Sequence, residues 1–210
     1  MTKPVEPPWK VQREFSESIP PNVRLHMSPQ RIPKLLPEET PTKEDKKPNG
    51  FWYDLEGEWV SWCSSGYRFG YYYYALDLDF SKILTIKNLK QFKKFEDEYK
   101  IRPFIHRWMD AIYEKFQQEK DRTPEMERFI EAMGTLNRPD GLHHNDFDIK
   151  WACVAEKHAG IEIPLFQRSL ESKWYDTWDC SSGVVWDISA IKGIKLYAYY
   201  NRRTKEIIKV

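Results

Sequence analysis

The sequence predicts an α+β fold: a mostly antiparallel sheet of short strands with flanking helices. Two observations carry this. Short runs rich in aromatic and β-branched residues, several with period-two alternation, recur from Val23 to Val210, bounded by Gly, Pro, Asn or Ser. The middle of the chain instead places apolar residues at helical spacing, and no internal repeat interrupts the mixture.

Residues 1–22 hold Pro4, Pro7, Pro8, Pro20 and Pro21 among charges, which predicts a flexible N-terminal arm. A single domain is expected over 23–210. Val23 to Ser28 alternates apolar and polar before Pro29, a short strand whose polar face carries Arg24, His26 and Ser28. Residues 29–49, with five prolines and the charged run Lys43–Lys47, read as a long exposed loop. Gly50 to Asp54 is an aromatic strand, and Glu56 to Cys63 places Trp59, Trp62 and Cys63 at helical spacing.

Tyr71 to Asp79 is strongly strand-forming, with Tyr72, Tyr74, Leu76 and Leu78 on one face. Ile83 to Ile86 is another strand. Asn88 caps a helix whose Leu89, Phe92, Phe95 and Tyr99 form an apolar stripe, while the charges from Lys87 to Lys100 alternate in sign as on an exposed face. A helical insertion is expected around 103–134, with helix starts at Pro103 and Thr123-Pro124-Glu125 and a stop at Gly134. After a polar loop over 135–147, Asp148 is expected to cap a helix through Trp151, Val154 and Ala155. Gly160 turns that helix into the strand Gly160-Ile161-Glu162-Ile163, ended by Pro164. Trp174 to Gly183 is an irregular aromatic segment, and Val184–Ile188, Gly193–Tyr200 and Glu206–Val210 supply closing strands.

Composition narrows the function. With 33 basic and 32 acidic residues the net charge is +1, which argues against a dedicated duplex-DNA binder. Aromatics make up 15% of the chain, surface that fills a core or stacks on planar rings. Three cysteines without close paired spacing indicate neither a disulfide framework nor a zinc site and fit a reducing compartment. No apolar signal-peptide core and no stretch near the roughly 20 apolar residues of a membrane span is visible, so a cytoplasmic protein without membrane partners is expected. Glycine-rich nucleotide loops and a nucleophile elbow are missing. His143-His144-Asn145-Asp146 has metal-ligand residue types but no partner ligands at a recognisable spacing, and no metal site is expected.

Glu162 is the residue that needs explaining. Period-two alternation turns it away from the face that Ile161 and Ile163 bury, toward either solvent or a cleft. A lone strand glutamate is most often a surface charge, a lone strand histidine most often a structural hydrogen-bonding residue, and an aromatic pair most often core.

Taken together, Leu25-His26-Met27-Ser28, Lys47-Pro48-Asn49-Gly50-Phe51-Trp52-Tyr53 and Gly160-Ile161-Glu162-Ile163 resemble the ordered His–aromatic–Glu pieces of the ADP-ribosyltransferase superfamily, in its diphtheria-toxin and poly-ADP-ribose-polymerase branch. The ending Trp178-Asp179-Cys180-Ser181-Ser182-Gly183-Val184-Val185-Trp186 is similar to that of small bacterial and viral transferase-like proteins. The resemblance spans most of residues 23–200. It implies a split sheet with NAD, the co-substrate, bound across it. His26 would bond a ribose hydroxyl of the adenosine half, Ser28 or nearby backbone would orient the amide, and an aromatic of the second strand would stack on nicotinamide. Glu162 would stabilise the oxocarbenium-like charge that forms as the nicotinamide–ribose bond breaks.

The usual Gly-x-Tyr of the second strand is here Gly50-Phe51-Trp52. Adjacent strand residues face opposite sides, so only one of Trp52 and Tyr53 can face the cleft; Trp52 is the first expectation and Tyr53 the second. The implied activity is transfer of ADP-ribose to a macromolecular acceptor, either protein or nucleic acid. NAD glycohydrolysis, with water as acceptor, is a related alternative. A different class is a non-catalytic module binding single-stranded nucleic acid or another partner through aromatics and the basic residues Lys90, Lys93, Lys94, Arg202, Arg203 and Lys205.

Overall fold

The computed structural model describes residues 8–35, 47–63, 71–101, 104–136, 147–164, 172 and 174–210. In chain order the first half is α1 (Pro8–Glu17), β1 (Arg24–Ser28), β2 (Phe51–Leu55), α2 (Glu58–Cys63), β3 (Tyr72–Leu78), β4 (Ile83–Thr85), α3 (Leu89–Tyr99) and β5 (Lys100–Ile101). Then follow α4 (Phe104–Gln118), α5 (Pro124–Leu136), β6 (Asp148–Ile149), α6 (Trp151–Ala155), β7 (Gly160–Ile163), β8 (Ser182–Val185), β9 (Ile191–Asn201) and β10 (Glu206–Lys209). The expected α+β class is the observed one.

Eight strands form one sheet in the order β10-β9-β3-β1-β2-β8-β7-β4, and β5 pairs with β6 apart from it. Every neighbouring pair in the large sheet is antiparallel except β4 with β7. The sheet is weakest at its middle: the β1–β2 ladder consists of two residue pairs, Arg24 with Leu55 and Leu25 with Asp54. By contrast β1 meets β3 along five pairs. The β3–β9 register shifts at Tyr73/Tyr74 and Asp77/Leu78 leave Tyr197 and Lys192 of β9 as the extra residues, while β3 keeps its alternation against β1, so Tyr73 and Tyr74 are buried on opposite faces.

One face of the sheet carries helices on both sides of the β1–β2 seam. On the β7–β8 side, Ile161, Ile163, Val184 and Trp186 pack with Phe92, Phe95 and Tyr99 of α3, Trp151 and Val154 of α6, and Trp174, Tyr175 and Trp178. The α3 stripe is as its spacing predicts, with Asn88 accepting the Gln91 N–H as cap, although Leu89 at the first position is exposed. On the other side, Leu25, Tyr73 and Ala198 pack with Phe15, Ile19 and Val60.

That second cluster corrects the expectation of a flexible arm over 1–22. From Pro8 the segment is a helix whose Gln12, Phe15 and Ser16 are buried. Proline is tolerated in a helix's first turn, where no intrahelical N–H is required, and Pro20 and Pro21 lie beyond the last turn. The interior therefore contains no breaker, and its apolar stripe has a sheet to cover. The helix sits close: Gly57, at φ +75°, would drive a Cβ to 2.7 Å from the Ser16 carbonyl oxygen. Residues 1–7 lie outside the described residues.

Asp148 is a second correction. It lies in β6 opposite Ile101, and α6, the helix it is expected to cap, starts at Trp151 with Lys150 at the cap position and no side-chain cap bond. The short β5–β6 pairing competes for these residues and wins, because Ile149 is completely buried there. Two helices lie in the stretch 103–134, α4 and α5, in contact through an edge-on Phe116–Phe129 pair at 5.4 Å. His143 and His144 lie outside the described residues.

Candidate functional site

Register assigns the candidate residues to faces. Tyr53 and Glu162 are each paired with Gly183, so all three share one face, opposite the helix-bearing one that holds Ile161 and Ile163. Tyr53 and Glu162 stand two strand spacings apart, about 10 Å, and only a bare glycine between them lets one reach the other. A Cβ on Gly183 would overlap the end of the Tyr53 ring. With that space free, the Tyr53 hydroxyl donates to Glu162 Oε2 at 3.2 Å.

Glu162 is only 2% exposed and is anchored by a second strand as well. Arg24, at the start of β1, donates from Nε to Oε2 at 3.0 Å and from Nη2 to Oε1 at 2.9 Å. This bidentate ion pair holds the guanidinium above its usual range, Glu162 being the main cause, with burial opposing. Burial pushes the Tyr53 hydroxyl well up, and the Glu162 charge adds to that, so Tyr53 is a neutral hydrogen-bond donor at ordinary pH. Arg24 also lies over the ring of Phe80 at 5.4 Å, and Phe80 is itself exposed, so Arg24 and Phe80 form the outer layer above the carboxylate.

A carboxylate offers roughly four lone-pair positions. Among the described residues two bonds reach Oε2 and one reaches Oε1, which leaves one acceptor position on Oε1.

His26 occupies the seam. Beyond the Leu25–Asp54 pair the β1–β2 ladder stops, and there His26 Nδ1 lies 2.6 Å from the Trp52 carbonyl oxygen. A carbonyl has no proton to give, so Nδ1 donates and the neutral ring presents Nε2 as an acceptor. Burial lowers the His26 pKa, the bond to Trp52 opposing, which favours that neutral form. The ring stacks on Phe51 at 3.9 Å between centroids. Phe51 and Tyr53 share a face by alternation, so His26, Phe51, Tyr53 and Glu162 line the same side of the sheet.

Trp52, the first expectation for the stacking aromatic, points the other way. It packs on the helix-bearing face against Trp178 at 4.8 Å and Trp59 at 6.1 Å, and Tyr53 takes the side that Glu162 occupies. Counting from Gly50 selects Trp52, but strand phase decides orientation, and Phe51 and Tyr53 are in phase with Glu162. Ser28, also on β1, is buried at the strand's end, where its Oγ accepts the Gln30 N–H at 3.3 Å in a tight turn.

Alternation puts Arg24 beside His26 on a polar strand face but does not pair it with Glu162. The pairing depends on β1 and β7 entering the same sheet, which no local pattern records. Phe80 carries no sequence signal beyond being aromatic. The six basic residues of the binding-module reading do not gather: α3 packs over the β7–β8 side of the sheet, while Arg202, Arg203 and Lys205 sit in the turn between β9 and β10 at the opposite end. Among the described residues no helix is long and apolar enough to cross a membrane. Comparison with family models, characterised proteins and solved structures gives no match for this chain.

Proposed function

We propose that this protein is an NAD-dependent ADP-ribosyltransferase with Glu162 as its catalytic carboxylate, His26 as a substrate-binding residue, the buried Tyr53 as a residue that positions Glu162, and a macromolecular acceptor. The observation that carries the reading is the alignment of His26, Tyr53 and Glu162 on one face of a sheet, with Glu162 buried and fixed by Arg24 and Tyr53. A carboxylate held this rigidly is suited to stabilising positive charge, because it needs no reorganisation as the charge appears.

In the proposed reaction the bond between nicotinamide nitrogen and ribose C1′ breaks, and nicotinamide leaves with the electron pair. The remaining oxocarbenium-like ribose is stabilised by Glu162, whose free Oε1 position accepts the ribose 2′-hydroxyl proton as a hydrogen bond. An acceptor nucleophile then forms a bond to C1′ and gives its proton to solvent. His26 Nε2 accepts a hydroxyl of the adenosine ribose, and Ser28 stays a turn residue at the edge of this subsite. Entry to Glu162 runs past Arg24, the more exposed member of the pair at 19% of its side chain, against 3% for Glu162.

The test is incubation with NAD labelled in the ADP-ribose half and protein, DNA and RNA acceptors. Transfer of label, lost in Glu162→Gln while far-UV circular dichroism stays native, is the expected result; label transfer that survives the substitution rejects Glu162 as the catalytic group. Nicotinamide release with water as sole acceptor would reassign the activity to glycohydrolysis at the same site.

A further inference from the structure

On the helix-bearing face, at the same seam, a small pocket of about 40 Å³ is lined by Leu25, His26, Met27, Trp52, Asp54 and Trp59. Two indoles form its corner: Trp52 and Trp59 meet at 75° with centroids 6.1 Å apart, and both are half-buried, so part of each ring stays accessible. Trp178 backs Trp52 edge-on at 4.8 Å. Leu25, His26 and Met27 of β1 and Asp54, 1% exposed, complete the lining. Asp54 Oδ2 accepts the Val60 N–H at 3.1 Å, and the Leu25 and Gly57 backbones also favour its charge, but Oδ1 has no well-aligned donor among the described residues. A buried carboxylate oxygen without a donor is costly, roughly 1–3 kcal/mol or more, and calls for an unseen partner. The chain already sends a cation to this corner: Lys47 Nζ lies 4.3 Å from the Trp52 ring centroid and 5.7 Å from that of Trp59.

We propose that this corner is a binding site for an alkylammonium ion, walled by Trp52 and Trp59 and charge-balanced by Asp54, with Lys47 as its resident occupant. Aromatic faces attract ammonium groups through their quadrupole, and the attraction strengthens where the cation is desolvated. A carboxylate deep in the same pocket supplies the charge-assisted hydrogen bond that a bare aromatic pair lacks. The volume suits an ammonium or methylammonium head rather than a large ring. A ligand enters by displacing Lys47, which makes the lysine a competitor built into the chain. The site lies on the opposite face from Glu162 and stands independently of the transferase reading.

Binding is coupled to protons. Burial, with Glu58 adding to it, pushes the Asp54 carboxyl up to about 7, and backbone hydrogen bonds from Val60, Leu25 and Gly57 oppose. A bound cation favours the ionised form, so affinity rises as pH increases from 6 to 8. The other titratable groups around Asp54 leave this sign unchanged. His26 is held neutral by burial, burial raises the Cys180 thiol and the Tyr73 hydroxyl, and Cys63 and Glu58 complete the set.

The experiment titrates the full-length protein with methylammonium chloride, with sodium chloride at matched ionic strength as control, following the indole N–H resonances of Trp52 and Trp59 by NMR. A saturable shift with methylammonium only is expected. Lys47→Met should bind about fivefold more tightly, since the competing cation–π contact is gone. Asp54→Asn should bind about tenfold more weakly, since a bond to a charged group is lost. If Asp54→Asn does not give a native circular-dichroism spectrum, Trp59→Leu replaces it, with loss of the shift expected. N-acetyl-lysine amide binding more tightly than methylammonium points to a lysine-bearing partner, and the reverse order to a free amine. No saturable shift in Lys47→Met, or equal affinity in wild type and Asp54→Asn, overturns the proposal.

Discussion

The Arg24–Glu162 pair joins β1 to β7 across two intervening strands, and its removal should be measurable and asymmetric. Two unit charges about 3 Å apart attract by roughly 5 kcal/mol at an effective dielectric near 20, before desolvation is subtracted. Removing one partner of a buried pair costs about 3–5 kcal/mol, because the other charge is stranded. Glu162→Gln leaves the partly exposed Arg24, which can swing toward water, so its cost should fall at or below that range, about 2–3 kcal/mol. Arg24→Met instead strands the carboxylate, whose side chain is 3% exposed, and should cost about 4 kcal/mol. For a chain of this size that corresponds to melting-temperature losses of about 5–10 °C and 10–15 °C. Urea denaturation at pH 7 of wild type, both single variants and Arg24→Met/Glu162→Gln gives the coupling energy, expected to exceed about 1.5 kcal/mol. Additive effects, or a larger loss for Glu162→Gln than for Arg24→Met, would refute the reasoning.

Other outcomes follow from the same contacts. Asp54 keeps its proton in the folded chain up to about pH 7 but loses it near 3.9 when unfolded, so its contribution is fully present below pH 4 and is lost as pH rises to 7. The difference amounts to about 4 kcal/mol, and Asp54→Asn should flatten that slope in urea melts between pH 4 and 8. His26 acts in the opposite sense, since its depressed pKa makes acidification below about 6.5 destabilising. Gly183→Ala forces a Cβ into the Tyr53 ring and should cost about 1–3 kcal/mol, shifting the tyrosine absorbance; a native melting curve would contradict the crossing geometry. Phe15→Ala empties part of the cluster beneath α1 and should cost about 3–5 kcal/mol, whereas a change under 1 kcal/mol would return residues 8–19 to the status of an arm.

Local signals in the sequence are enough to place Glu162 on a strand and away from the face of Ile161 and Ile163, because Gly160 and Pro164 bracket three residues whose alternation has one solution. The same holds for α3, whose cap and apolar stripe are both written locally. What failed was decided elsewhere in the chain. Proline content hid α1, although its prolines fall at the helix start and beyond its end, where they do no harm. Trp52 and Tyr53 could not be separated without knowing which strand pairs with which, and the Gly183 pairing is what turns Tyr53 toward Glu162. Asp148 has the residue type of a cap, yet a two-residue strand with Ile101 claims it. The Arg24–Glu162 pair spans 138 residues of sequence and is a property of the sheet order alone.

The central claim is that Glu162 cleaves NAD on the face it shares with His26 and Tyr53. Transfer of labelled ADP-ribose by wild type and by Glu162→Gln, both shown to be folded at the assay temperature, tests it most directly. The account predicts label on a macromolecular acceptor with the wild type and none with the variant. Equal labelling by the two proteins, or neither labelling nor nicotinamide release by the wild type, would contradict it.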